Sequence, residues 1–261
     1  MLITSRDNNT IKEIIKLKDK KYRKDSFIIE GIKPIEEAIK ENAIIEKIVK
    51  VEGATFDVKI DGIDIIEVPQ KLFNEMTDVE TPQGILAVVK KTNSNTIDYS
   101  ADFILVLDNI QDPGNLGTII RTADSAYLRQ ILVSKGTADP YSPKVIRSTM
   151  GSIFRVNIIE SDNLEASIDE LKNNGFQVVT TSLQTDNNAF ELDYMKKAVI
   201  IGNEANGVEE NIANKSDIKV KIPMLGKTES LNAAVSASIM VYEYVKQKIS
   251  LQKWNRNIKL K

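Results

Sequence analysis

From residue 103 onward, short runs of Val, Ile and Leu return at regular intervals, each followed by a stretch with helical spacing. The runs are 103–107, 130–134, 154–159, 176–182, 198–201 and 218–220. Continuous apolar strands of this kind are buried on both faces, which calls for a parallel sheet covered by helices on either side. This part of the chain is therefore read as an α/β domain. Its last helix is expected to begin at Ser230, a residue type suited to an N-cap. It carries Ala234, Ile239, Val241, Tyr242, Val245 and Ile249 at mostly helical spacing.

The preceding part alternates shorter elements. A basic helix is expected at 9–18, strands at 27–30, 44–51, 63–68 and 85–89, and helices at 34–40 and from Gln70. This predicts a second, smaller α/β unit. Residues 90–96 are polar and unpatterned, as a linker would be. The expected division is thus 1–92, a linker at 93–100, and 101–261, within a length that accommodates two ordinary domains.

Composition narrows the chemistry. The chain has no His and no Cys, which removes thiol nucleophiles, disulfides, imidazole bases and zinc sites built on those ligands. Catalysis would have to use Arg, Lys, carboxylates, hydroxyls, amides, backbone groups or a cofactor, and no metal is expected. With 35 basic and 37 acidic residues, the chain has no bulk attraction for nucleic acid. Locally the picture differs. Lys12, Lys16, Lys18, Lys20, Lys21, Arg23 and Lys24 stand against only Glu13 and Asp19, and residues 246–261 carry six basic side chains and no acid. Either run is a candidate for phosphate contacts, with a solvated helix face as the simpler account of each alone. No stretch of about 18 uncharged apolar residues occurs and the start lacks a basic-then-apolar pattern, so a cytoplasmic protein is expected.

Three strand-to-loop junctions stand out. In the first, the strand at 103–107 runs through Asp108-Asn109-Ile110-Gln111-Asp112-Pro113-Gly114-Asn115-Leu116-Gly117 into a helix bearing Arg121. Such junctions are where open α/β sheets place ligands. The glycines lack the leading Gly-x-Gly of a dinucleotide fingerprint, which argues against a nicotinamide dehydrogenase. Spacing alone leaves a plain strand-helix connection with an exposed Arg as the simplest account. The second junction is Gly202-Asn203-Glu204-Ala205-Asn206-Gly207, again after a strand. The third is Ile222-Pro223-Met224-Leu225-Gly226-Lys227-Thr228-Glu229-Ser230-Leu231-Asn232, before the last helix. Together they offer Asn, Arg, Glu, Ser and backbone N–H groups, with no strong base or nucleophile.

Taken in order, the three segments resemble the three motifs of the SpoU (TrmH) branch of the SPOUT RNA methyltransferases. The first ninety or so residues are similar to the substrate-binding domain often joined to them, through Lys21-Tyr22-Arg23, Phe27-Ile28-Ile29-Glu30-Gly31 and Thr81-Pro82-Gln83-Gly84-Ile85-Leu86-Ala87. Two departures are Ala205, where many members have Gly, and Ala233-Ala234, where Asn-Val or Ser-Val is frequent.

The resemblance implies a small ribosomal protein L30e-like α/β domain followed by a mostly parallel α/β domain with a deep trefoil knot. It implies methyl transfer from S-adenosylmethionine to a ribose 2′-hydroxyl of RNA, most simply ribosomal RNA. The alternatives are the same reaction on tRNA, or a non-catalytic RNA-binding ribosome-assembly protein. It further implies a homodimer in which both subunits build the site, with Ala233, Ala234 and Ala237 suited to close helix packing. Carried onto this chain, the catalytic positions are Asn115, Arg121, Glu204, Ser230 and Asn232. The cofactor positions are Thr180, Ser182, Gly202, Ile222, Met224 and Leu231. Lys21, Arg23, Lys144 and Arg147 are the candidate RNA contacts. Arg121 would act on the 2′-hydroxyl proton, either as a base or as an electrostatic stabiliser of the developing alkoxide.

Overall fold

The computed structural model describes residues 1–56, 62–92 and 94–259, without the side chains of 253–259. The chain forms two compact units, Met1–Asn93 with Asp139–Arg155, and Ser94–Ala138 with Val156–Lys261.

The first unit is built on a four-stranded sheet in the order β1-β4-β2-β3. Its strands are β1 (Ser26–Glu30), β2 (Ile45–Val51), β3 (Ile65–Val68) and β4 (Ile85–Lys90). β4 pairs antiparallel with β1 and β2, and β3 runs parallel to β2. Helix α1 (Asn9–Lys16) is capped by Asn8 Oδ1, which accepts from Thr10 N at 2.9 Å. It places Ile11 and Ile14, three positions apart on one face, against Phe73, Met76, Val49 and Leu86, with α3 (Gln70–Met76) alongside. Helix α2 (Ile32–Lys40) packs on β1 and β4.

Residues Asp139–Arg155 belong to this unit, although the sequence reading assigns them to the second segment. They contain α5 (Pro143–Thr149), which packs on β1. Phe27 meets Tyr141 at 4.8 Å and Phe154 at 6.3 Å between ring centroids. This accounts for a strand that starts later than expected. The apolar run at 154–159 looks continuous, but Ser152–Phe154 is a 3₁₀ turn against the first unit, and the strand covers only Asn157–Ser161.

The second unit holds six parallel strands in the order β10-β8-β9-β5-β6-β7. These are β5 (Phe103–Leu107), β6 (Gln130–Ser134), β7 (Asn157–Ser161), β8 (Gln177–Thr181), β9 (Lys197–Ile201) and β10 (Ile218–Val220). Every residue of β5 and β9 is buried, as the continuous apolar runs require. Alternate residues point to opposite faces. Ile104, Val106, Ala198 and Ile200 meet α6 (Leu164–Asn173) and α7 (Glu210–Asn214), whereas Phe103 stacks on Tyr244 of α8 (Ala233–Lys259) at 4.8 Å. Helix α4 (Pro113–Ser125) packs beside α8, with Thr122 Oγ1 and Ser238 Oγ 3.1 Å apart.

Helix α8 starts at Ala233, not at Ser230. Asn232 is the cap, its Oδ1 accepting from Ala234 N at 2.8 Å and Val235 N at 3.3 Å. The preceding segment lacks helical hydrogen bonding because it forms the loop that enters the site. Ala233, Ala234 and Ala237 are buried within the chain, so the close packing they permit is internal. No helix among the described residues is long and apolar enough to cross a membrane.

Candidate active site at the strand ends

Loops at the C-terminal ends of the adjacent strands β8, β9 and β5, together with the loop after β10, carry all three motifs. After β5 the chain buries Asp108, whose Oδ2 accepts from Glu209 N at 2.9 Å. Burial raises its carboxyl above the usual range, against hydrogen bonds from the Glu209 amide and the Ser134 hydroxyl. Asn109 follows in the left-handed region at φ 59°, a conformation Asn tolerates. Asp112 then caps α4 by accepting from Asn115 N at 2.8 Å, and Pro113 occupies the first turn, where its missing N–H costs nothing.

The second motif closes on itself. Asn203 and Gly207 exchange backbone hydrogen bonds of 2.8 and 2.9 Å, and Asn203 Oδ1 accepts from Ala205 N and Asn206 N. Asn203 Nδ2 donates to Asn109 O at 2.9 Å, tying this loop to the first motif. A Cβ on Gly202 would lie 2.1 Å from Gly207 C and Val208 N, so glycine is required here by the loop's own backbone. The positive φ in this loop falls on Gly207, and Ala205 lies outside that region, so its departure from the family pattern imposes no strain.

Glu204 emerges at the tip of this loop. Its Oε1 accepts from Asn115 Nδ2 at 2.8 Å and from Asp112 N at 3.3 Å, and its Oε2 from Gln111 N at 3.3 Å. Partial burial pushes the carboxyl up. The hydrogen bond from Asn115 and those from the backbone of Glu204, Gln111 and Asp112 outweigh it and hold the group below its usual value. Asn115 Oδ1 in turn accepts from Asn232 Nδ2 at 3.0 Å. One side chain from each motif thus joins a single chain of hydrogen bonds, Glu204–Asn115–Asn232.

The remaining candidates are placed differently. Arg121 lies on α4, about 9 Å beyond Asn115 along the helix axis, and is exposed with no hydrogen bond or ion pair among the described residues. Ser230 is likewise exposed with no side-chain hydrogen bond among them. Thr180, on β8, is 1% exposed and its Oγ1 has no hydrogen-bond partner among the described residues. Ser182 Oγ accepts from Gln184 N at 3.1 Å, closing a turn. Ile222, Met224 and Leu231 are half-buried, and residues 222–231 make no backbone–backbone hydrogen bond among the described residues.

The RNA candidates fare unequally. Arg23 is 6% exposed and pairs with Asp139 through Nε at 2.8 Å and Nη2 at 2.7 Å, while Nη1 donates to Leu17 O and Lys18 O at 2.7 Å. Its donors are committed inside the first unit, and it is withdrawn as a phosphate contact. Lys21 is exposed and paired with Asp19 at 3.2 Å, and Lys144 and Arg147 are exposed on α5. Asn93 and the side chains beyond Gln252 lie outside the described residues, so the basic tail is described only in part. No group of three or more His, Cys, Asp or Glu side chains is placed to hold a metal among the described residues.

Sequence reading missed Asp108, Asn109 and Asn203 as residues that shape the site. The available signal was a polar residue directly after a buried strand, where a side chain can take over backbone hydrogen bonding.

Comparison with known proteins agrees with this geometry. Residues 102–242 match the SpoU rRNA methylase family, and residues 8–87 match an MRM3-like substrate binding domain. The chain is 37% identical over 244 residues to the 23S rRNA (guanosine(2553)-2′-O)-methyltransferase RlmP of Bacillus subtilis, covering 92% of this chain and 97% of the relative. Among solved structures, the AdoMet-bound rRNA methyltransferase of Sinorhizobium meliloti superposes with a TM-score of 0.82 at 30% identity, covering 95% of this chain and 98% of that one. The AviRb SpoU methyltransferase of Streptomyces viridochromogenes with AdoMet gives 0.83 at 27% identity, covering 93% and 99%. With motifs, fold and full-length relatives in agreement, the chain belongs to the SpoU rRNA methylase family.

Proposed function

We propose that this chain transfers the methyl group of S-adenosylmethionine to a ribose 2′-hydroxyl of ribosomal RNA, and that its substrate is 23S rRNA at the nucleotide modified by the Bacillus subtilis relative. The observation that carries the reading is the Glu204–Asn115–Asn232 chain, which unites the three motifs at the strand ends. The chain is an RNA 2′-O-methyltransferase dependent on S-adenosylmethionine.

The residues fit that donor. Thr180 offers a buried hydroxyl without a partner, and the backbone groups of 222–231 are left for a ligand. Thr180, Ser182, Ile222, Met224 and Leu231 would hold it, with Gly202 acting by letting the neighbouring loop close. S-adenosylmethionine supplies an activated methyl group, so the protein has to orient a hydroxyl and help it lose its proton.

Arg121, exposed and without a partner among the described residues, is available to meet the substrate. A guanidinium holds its proton too firmly to be a good base, so Arg121 is read as the electrostatic stabiliser of the developing alkoxide. Asn115 and Asn232 hold the substrate side of the site, and Glu204 fixes Asn115. Ser230 completes the polar set. Val235, Tyr242 and Ile249, exposed at seven-residue intervals on α8, supply an apolar stripe for a homodimer. The family's trefoil knot and a cytoplasmic setting belong to the same reading. The first unit, with Lys144 and Arg147 on α5, is read as the RNA-recognition part.

Arg121→Ala tests the assignment. Methyl transfer is expected to be abolished while calorimetric S-adenosylmethionine binding is retained, and an active Arg121→Ala enzyme overturns it.

A further inference from the structure

Seven basic side chains lie between residues 12 and 24, but the structure commits four of them. Lys12 pairs with Asp7, Lys18 with Asp78, Lys21 with Asp19 and Arg23 with Asp139. Lys16, Lys20 and Lys24 are exposed and have no acidic partner among the described residues. In their midst is Tyr22, the last residue of the 3₁₀ turn Lys20–Tyr22, with 44% of its surface exposed. Lys16 Nζ lies 5.6 Å and Lys21 Nζ 4.9 Å from the centre of its ring.

A large aromatic side chain held at the surface by a short turn, in a run of lysines of which Lys16, Lys20 and Lys24 have no acidic partner among the described residues, has little to do for the core. Its chemistry matches a polyanion that also carries flat rings. The chain is slightly acidic overall, with a formal net charge of −2, so RNA is drawn by local patches such as this one. An ammonium over an exposed ring is a weak contact, and a base stacks on an aromatic face more strongly. A base that takes the ring face displaces the Lys16 ammonium toward a flanking phosphate.

We propose that Tyr22 is a stacking platform for an unpaired RNA base, with Lys16, Lys20 and Lys24 as its phosphate contacts. This rests on the reading of the chain as an RNA methyltransferase, and assigns part of its substrate recognition to a residue outside the three motifs. Stacking is indifferent to base identity, so the platform selects an unstacked loop or bulge over a regular duplex.

The test is equilibrium binding of the full chain to a 23S rRNA transcript spanning the nucleotide equivalent to guanosine 2553, across a salt series. Tyr22→Ala is expected to weaken binding roughly 5- to 150-fold, and Tyr22→Trp to restore it. The triple variant Lys16→Gln, Lys20→Gln, Lys24→Gln is expected to flatten the log–log salt slope by about 2. Calorimetric S-adenosylmethionine binding should be unchanged in all of them, showing that the fold is intact. Wild-type affinity in Tyr22→Ala, or failure of Tyr22→Trp to restore it, overturns the platform. If the wild type methylates the transcript while Tyr22→Ala binds normally, the platform alone fails. If the wild type neither binds nor methylates it, the platform fails together with the proposed substrate.

Discussion

Replacing Glu204 by Ala removes the acceptor on which the three motifs converge. The carboxylate receives one short hydrogen bond, from Asn115 Nδ2 at 2.8 Å, and two long ones from backbone amides at 3.3 Å. A well-formed hydrogen bond to a charged group contributes about 1.5–3 kcal/mol, and the long ones much less. Glu204 is exposed, so water reaches the released donors and the net loss is about 1–2 kcal/mol. For a chain of this size that corresponds to a fall in Tm of roughly 2–8 °C. The catalytic effect is expected to be larger. Asn115 loses its anchor and Asn232, bonded to it at 3.0 Å, loses its reference. A misplacement of about 1 Å in a positioning group costs on the order of 100-fold in rate, so Glu204→Ala is predicted to lower kcat by about that factor.

Acid adds a signature. The Glu204 carboxyl is held below its usual value in the folded protein, so its contribution is present above the ordinary carboxylate pKa and is lost as pH falls through the folded one. The Tm gap between wild type and Glu204→Gln should therefore be widest at neutral pH and close below about pH 4. Thermal unfolding across this range, with single-turnover methyl transfer at neutral pH, tests the argument. A Glu204→Ala enzyme that matches wild type in both Tm and rate, or a Glu204→Gln gap that is flat with pH, refutes it.

Other substitutions probe the supports of the site and of the first unit. Gly202→Ala drives a Cβ to 2.1 Å from the backbone of Gly207 and Val208. It should cost about 1–3 kcal/mol of stability and weaken S-adenosylmethionine binding, both measurable by denaturation and calorimetry. Arg23→Ala leaves the largely buried Asp139 carboxylate without its counter-charge, with only the Tyr141 amide still bonded to it, and should destabilise the chain by about 3 kcal/mol in urea unfolding. Deleting residues 1–92 is expected to do more than remove RNA affinity, because Tyr141, Val145 and Ile146 are buried within the first unit. The truncated chain should bind a hydrophobic dye and aggregate, and a monodisperse, dye-silent fragment contradicts the assignment of 139–155 to that unit.

The strand framework was legible because its signal is strong and local. Runs of Val, Ile and Leu mark β5, β6 and β10 residue for residue, most clearly β5, which is apolar and buried at every position and so has no polar position to blur it. The run at 154–159 misled because burial, not strand geometry, is what such a run reports. Phe154 is half-buried and belongs with Phe27 to the first unit, its ring 6.3 Å from that of Phe27. Ser230 and Asn232 compete for the start of α8 because Ser and Asn cap helices about equally well, and only the path of the loop decides for Asn232. The motif side chains Asn115, Glu204 and Asn232 stand out in the sequence, but the bonds joining them depend on the loops after β5, β9 and β10 meeting at one end of the sheet, across the intervening β8, which no local pattern states. Arg23 illustrates the converse. A basic residue in a basic run reads as a phosphate contact, yet its partner Asp139 lies 116 positions away, beyond any sequence window.

The proposed reaction is a ribose methylation of 23S rRNA at one nucleotide. It is tested most directly by incubating the purified full chain with unmodified 23S rRNA and S-adenosylmethionine and then mapping 2′-O-methyl groups along the RNA. A single new methyl group is predicted at the nucleotide equivalent to guanosine 2553, absent with Arg121→Ala. A methyl group at another ribosomal position would correct the substrate. Methyl transfer to a base atom, or none to any RNA offered, would contradict the account.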